Sequence, residues 1–224
     1  MSNVFVIGAA GKVGQRLIKI LSDNGHGVVA LHRKPEQSQL ISATGATPLL
    51  DNLTELDASE LATAMAGSDV VVFTAGAGGA GIELTNAIDG QGLQTSVAAA
   101  ELAGVHRFLL VSAFPEALRG TDTSEGFENY MRVKKAADVH LASSGLDWVI
   151  LRPGTLVDSP GTSAVRAGLA IPYGEIPRDD VAALLAALVE RPAITRQIIE
   201  VVQGDTPIDE ALDTFDRSST TRPL

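Results

Sequence analysis

Tyr130 and Lys134 form a Y-x-x-x-K pair in a chain with only two tyrosines and five lysines. Chance places about 0.05 such pairs in a chain of this composition. On a helix, i,i+4 spacing puts both side chains on one face. That arrangement has a chemical use. A free phenol ionises at about pH 10, too high to trade protons readily near neutrality. A neighbouring ammonium favours the phenolate and lowers that value. The pair could then protonate a carbonyl oxygen as hydride arrives, or remove the proton in the reverse direction, with Lys134 also binding the nicotinamide ribose. A core-packed Tyr beside a snorkelling Lys is the structural alternative. Ser112 directly follows the apolar run Leu109-Leu110-Val111. Its hydroxyl could hold the same substrate oxygen, or simply end a strand.

Gly8-Ala9-Ala10-Gly11-Lys12-Val13-Gly14 reads G-x-x-G-x-x-G. With 22 glycines in 224 residues, chance gives such spacing about 0.2 times per chain, so the spacing alone says little. Its position says more. It follows the apolar run Val4-Phe5-Val6-Ile7 and opens an amphipathic stretch. Gly8 permits a tight turn, Gly11 lets the backbone approach a pyrophosphate, and Gly14 lets a helix pack on a sheet. The helix start then offers N–H groups and a positive dipole to phosphates. An ordinary glycine-rich turn is the plainer reading.

The second strand ends at Leu31-His32-Arg33-Lys34, with no acid to accept a ribose 2′-hydroxyl. A guanidinium at Arg33 can instead grip a 2′-phosphate through two hydrogen bonds. NADP(H) is therefore favoured over NAD(H), unless the turn is only a solvated basic one. Asp51 and Asn52 close the third strand, where an adenine edge would lie. Asp51 could accept from the adenine amine or cap the next helix. After the sixth strand, backbone groups of Arg152-Pro153-Gly154-Thr155 could hold the nicotinamide carboxamide. No histidine has metal-ligand spacing, and surface or capping roles are expected of all four. Asp179-Asp180 opens a helix, so capping is preferred to metal binding there.

These residues need a scaffold. Strands are expected at Val4–Ile7, Val28–Leu31, Thr47–Leu50, Asp69–Phe73, Arg107–Val111, Trp148–Leu151 and Gln197–Val202. Helices are expected from Val13 to near Asn24-Gly25, and over Pro35–Ala43, Leu53–Met65, Thr85–Ala103, Glu125–Ser143 and Arg178–Glu190. The alternation predicts an α/β fold, a Rossmann-type doubly wound parallel sheet with helices on both faces. Loops rich in glycine at 76–81 and from Gly120 to Ser124 lie at the carboxyl ends of strands, where such sheets bind ligands. One domain is expected over 1–224: a cofactor-binding core at 1–153, substrate-side and closing elements at 154–216, and a frayed tail at 217–224.

The formal charge is −10. So acidic a chain argues against duplex nucleic acid or an anionic membrane as partner. A small-molecule substrate is the expected partner, with a monomer or a homodimer equally open. The absence of cysteine excludes disulfides, thiolate metal sites and Cys nucleophiles. No apolar stretch reaches the roughly 18 residues of a membrane span, and no signal peptide is visible, so a cytoplasmic protein is expected.

With these residues in hand, the chain resembles the short-chain dehydrogenase/reductase superfamily. It resembles more closely the atypical NAD(P)-binding group described as NAD-dependent epimerase/dehydratase-like or NmrA-like. The likeness runs through Val6–Gly14, Val71–Gly76, Ala103–Phe108, Tyr130–Lys134, Ser144–Asp147 with Leu151–Gly154, and Ile176–Ala182. It implies pyrophosphate contacts from Gly8, Ala10, Gly11, Lys12 and Val13, and a 2′-phosphate contact from Arg33. It places Asp51 and Asn52 by the adenine, Ala75 and Gly76 along the ribose, and Ser112, Tyr130 and Lys134 as a catalytic trio. Three departures stand out. Asp89 occupies the place of an Asn that often orders a proton relay. Ser112 lies 18 residues before Tyr130, farther than usual. The segment after Pro153 is short for a sugar-nucleotide epimerase, which suits a small or flat substrate. The resemblance implies an NADP(H)-dependent oxidoreductase, or alternatively a dinucleotide sensor without turnover, or a flavin- or quinone-type reductase in which Tyr130 is dispensable.

Overall fold

Apolar β-branched runs too short for helices form the floor of the molecule. A computed structural model describes residues 1–118 and 121–216. The expected tail at 217–224 and Gly120 of the expected loop lie outside the described residues. The strands are β1 (Asn3–Ile7), β2 (Gly27–His32), β3 (Thr47–Leu50), β4 (Val70–Phe73), β5 (Arg107–Val111), β6 (Asp147–Pro153), β7 (Thr155–Val157), β8 (Ala164–Gly168), β9 (Glu175–Pro177), β10 (Gln197–Gln203) and β11 (Thr206–Pro207). The helices are α1 (Lys12–Asp23), α2 (Ser38–Ser42), α3 (Ala58–Met65), α4 (Ile82–Thr85), α5 (Leu93–Ala103), α6 (Glu125–Ala142), α7 (Arg178–Glu190) and α8 (Ile208–Asp213).

The main sheet runs β11-β8-β10-β6-β5-β4-β1-β2-β3. From β3 through β6 to β10 every pairing is parallel. The chain winds outward from β1 to β3, then restarts at β4 and winds the other way. This reversal opens a crevice between the ends of β1 and β4. Side chains of β1 alternate between two cores. Val4 and Val6 face the layer of Leu17, Leu21, Leu184 and Leu188, where α1 and α7 pack. Phe5 and Ile7 face the layer of Leu61, Leu93, Val97 and Leu141, where α3, α5 and α6 pack. Coverage on both faces explains the unbroken apolar runs.

Three expectations need correction. The helix expected from Leu53 begins at Ala58, because Asp57 accepts the amides of Ser59 and Glu60 while Glu60 answers the Asp57 amide. That reciprocal cap sets the start, and Asp51 does not cap this helix. The single helix expected over Thr85–Ala103 is broken. A π-helical stretch, Asn86–Gly92, separates α4 from α5. Gly92 lies so close to Leu53 that a Cβ there would meet Leu53 Cδ2 at 2.9 Å. The wider turn re-phases the helix and leaves Asp89 buried. Beyond Pro153 the chain forms more strand than its loosened pattern suggested. β8 and β11 extend one edge antiparallel, and β7 pairs with β9 in a separate parallel ribbon. The sheet is therefore mostly, not wholly, parallel.

The glycine turn shows which of its glycines are structural. Gly8 has φ +83°, and a Cβ there would lie 2.5 Å from the Ala75 amide nitrogen. At Gly14 a Cβ would lie 2.3 Å from Gly8 O. Because both obstructions are backbone, Gly14→Ala must lift α1 off the turn. The expected cost is about 2–3 kcal/mol, measured by urea unfolding. A variant as stable as the native chain would contradict this packing.

Candidate active site

At the mouth of the crevice lies a cleft of about 300 Å³. It gathers Gly8, Ala10, Gly11, Arg33, Asp51, Asn52, Ala75 and Gly76, each singled out from the sequence. Leu31, Leu53, Leu84 and Ile88 supply apolar walls that the motifs alone did not reveal. The turn is held by Gly11 N donating to Gly8 O at 2.9 Å. Thr74 Oγ1 donates to Ile7 O at 2.9 Å, tying β4 to β1. Gly11 is the N-cap of α1 and brings no side chain, so nothing caps the first turn there. Its first-turn amides, which an α-helix leaves unpaired, remain for an anion. The glycine spacing, the side-chain-free cap and the apolar walls fit the adenosine and diphosphate of a dinucleotide.

Arg33 is exposed at the rim of the cleft. His32, expected near the surface, is buried instead. One ring nitrogen lies 3.1 Å from Lys34 O and the other 3.2 Å from Ser38 Oγ. This histidine fixes the direction in which Arg33 leaves the strand. Asp51 keeps its carboxylate local, accepting from the Asn52 amide at 2.7 Å. Asn52 in turn binds Thr54 and Glu55. Lys12 and Val13 open α1 beside the cleft but do not line it.

The Tyr-Lys pair lies on α6, which packs on the face shared with α5. Lys134 is buried. Its Nζ donates to Val111 O at 2.8 Å and lies 3.4 Å from Asp89 Oδ1. Asp89 Oδ2 accepts the Ala77 amide at 2.9 Å. Asp89 therefore ties the loop after β4 to the lysine. Tyr130 is half-buried, with its ring 6.3 Å from that of Phe127. Burial pushes its phenol above the ordinary tyrosine value. Lys134 acts to lower it, while Asp89 and Asp138 act to raise it. The net direction is opposite to that expected from the pair alone, because burial outweighs the ammonium and the two carboxylates add to the rise.

Ser112 is buried just after β5, with its hydroxyl facing the Asp138 carboxyl. Close by lies Asp138, whose Oδ2 takes a 2.9 Å hydrogen bond from Arg152 Nε. Burial raises the Asp138 carboxyl, against the pull of the Ser112 hydroxyl and of Arg152. Asp138 escaped the motif reading, although it continues the spacing of Tyr130 and Lys134 by one further turn. A second cavity, about 520 Å³, opens beside it, with Ala113, Pro115, Met131, Lys134, Asp138 and Arg152 in its wall. Pro153 and Gly154 are buried at the end of β6. The Gly154 amide donates to Val201 O at 2.9 Å, so it is not available to a carboxamide.

The cleft, the buried pair and the second cavity all lie at the carboxyl ends of parallel strands, where open α/β sheets bind ligands. Among the described residues no helix is long and apolar enough to cross a membrane.

Known proteins share this fold. An uncharacterized sugar epimerase of Bacillus subtilis, YhfK, is 40% identical over 211 residues, which cover 93% of this chain and 98% of that one. A candidate NAD-dependent epimerase/dehydratase of Bacillus halodurans superposes with a TM-score of 0.87 at 33% identity, over 96% of this chain and 100% of that one. The anaerobilin reductase ChuY of Escherichia coli O157:H7 superposes with a TM-score of 0.76 at 27% identity, over 91% and 98% of the two chains. The sequence model described as NAD(P)H-binding matches residues 8–192. On that match, and on the epimerase- and oxidoreductase-type relatives around it, the chain belongs to the NAD(P)H-binding family of Rossmann proteins.

Proposed function

We propose that the protein is an NADP(H)-dependent oxidoreductase that passes hydride to a small carbonyl or similar acceptor. The observation that carries this reading is the position of Lys134. It is held at the end of β5 by Val111 O and Asp89, with Tyr130 one turn before it and Ser112 beside it. When bound, a reduced nicotinamide supplies the hydride. Two directions of the Lys134 ammonium are taken, and the third N–H serves the nicotinamide ribose. Tyr130 stays a neutral phenol, so it acts as the acid that protonates the developing alkoxide. Ser112 orients that oxygen. We assign residues 1–153 to coenzyme binding and 154–216 to the substrate side.

The relatives bear epimerase and reductase names, and the region after Pro153 is short. A small or flat acceptor in an open cleft fits both. The defining experiment is NADPH consumption with a panel of aldehydes and quinones, beside calorimetric titration with NADPH and NADH. Tight binding with no turnover across the panel would replace this reading with a dinucleotide sensor. The raised phenol of Tyr130 favours a second reading within enzymes: direct hydride delivery to a quinone-type acceptor with Tyr130 as a bystander.

Coenzyme choice rests on Arg33. Arg33→Ala is expected to weaken NADPH by about ten- to a hundredfold while changing NADH little, since only the 2′-phosphate loses its charged partner. Equal losses for both coenzymes would show that Arg33 does not read that group.

A further inference from the structure

Two helix starts converge on one carboxylate. Lys12, which opens α1, places Nζ 2.5 Å from Asp158 Oδ2. Arg178, which opens α7, places Nη1 2.9 Å from Asp158 Oδ1. Asp158 directly follows β7 and is half-exposed, whereas the Arg178 side chain is largely covered. The lysine's hydrogen bond leads in holding the Asp158 carboxyl below its ordinary value, with Arg178 adding to it.

Neighbouring carboxylates tie down the rest of this segment. Asp180 is buried and accepts the amides of Thr162 and Ser163. Asp179 pairs with Arg16 and accepts the Gly161 amide. Those two acids come from α7 and hold the segment from below. Asp158 differs from them. It belongs to the segment itself, and one of its two cations sits inside the glycine turn.

We propose that Asp158 is a built-in counter-anion, holding Lys12 and Arg178 in the free protein and yielding them to the cofactor diphosphate, so that dinucleotide binding unlatches the segment after β7. This inference rests on the dinucleotide reading of the glycine turn. It adds Arg178 as a diphosphate-binding residue and Asp158 as the group that competes for it. The exchange is feasible because a partly exposed ion pair is marginal and screened by salt. A diphosphate brings more charge than one carboxylate and also meets the uncapped amides of α1. Since β7 and its continuation lie on the side assigned to substrate, the coenzyme would prepare that side before substrate enters.

The test is calorimetric titration of the full chain and its Asp158→Asn and Arg178→Gln variants with NADPH and with NADH. Amide exchange of residues 155–163 is followed in parallel. Asp158→Asn is expected to tighten both coenzymes by about three- to tenfold, and Arg178→Gln to weaken both by a similar factor. Within that window the Asp158 and Ser159 amides, which Asp179 and Asp180 do not hold, should exchange faster with NADPH bound to the native chain, and already fast in unliganded Asp158→Asn. Binding by Asp158→Asn that is no tighter than native, or exchange that NADPH leaves unchanged, overturns the latch alone. A native chain that takes up neither nucleotide overturns the dinucleotide reading, and the latch with it.

Discussion

Tyr130→Phe is expected to lower the proposed NADPH-dependent reduction of a carbonyl acceptor by about 10²- to 10⁴-fold and to leave coenzyme affinity nearly unchanged. The substitution keeps the ring against Phe127 and removes only the hydroxyl, so the fold is not at issue. Burial raises the phenol above its ordinary value despite Lys134. Tyr130 is therefore fully protonated through neutrality, and the native rate should fall from loss of this acid only above about pH 10. Stability follows the same sign. The folded state favours the protonated phenol, so its contribution is complete below the unfolded value of about 10 and is lost as pH rises through the folded value. The Phe variant should lack that alkaline loss. A pH profile of kcat for both proteins, with unfolding midpoints on either side of pH 10, measures both effects. If Tyr130→Phe reduces quinones and aldehydes as fast as the native chain, the hydroxyl has no part in the reaction. Hydride then passes directly to the acceptor.

Lys134→Met is expected to cost about 3–5 kcal/mol of stability, besides abolishing turnover. The lysine and Asp89 side chains are 5% and 1% exposed, so removing the ammonium strands a carboxylate in a site that excludes water. Val111 O loses its donor as well. The Ala77 amide would still bond to Asp89, but one neutral donor does not balance a buried charge. The diagnostic variant is Lys134→Met combined with Asp89→Asn, which removes the stranded charge and should recover much of the loss. Urea unfolding of the native chain, both single variants and the double variant closes the cycle. A single Lys134→Met variant within about 1 kcal/mol of native would mean that the pair is not coupled as the geometry requires.

Much of this molecule follows from local chemistry. Short apolar runs such as Val4–Ile7 and Val70–Phe73 pack against helices on both sides, as parallel strands buried on both faces require. The glycine turn, Arg33, Asp51 and Asn52, Ala75 and Gly76 converge because each ends or follows a strand of one sheet. Strand ends in a parallel sheet meet along a single edge. Tyr130 and Lys134 share a face because a helix repeats every 3.6 residues.

The start of α3 at Asp57 is legible in Glu60 three residues on, a reciprocal cap that Asp51 lacks, but the apolar pattern read alone passes over it. Other features depend on contacts between segments distant in sequence. The π-helical turn that points Asp89 inward depends on Gly92 meeting Leu53, a contact between different elements. The direction of the Tyr130 shift depends on burial and on Asp89 and Asp138 together, so the Y-x-x-x-K spacing considered alone predicts the wrong sign. The sequence by itself determined the parallel core of the sheet up to β6 and the edge where ligands gather, because those rest on periodicity and on residues near one another in the chain. Only the tertiary structure decided which charges share the site, and that Lys12 meets Asp158 and Arg178, because electrostatic energies depend on distance and solvent exclusion, neither of which a linear pattern contains.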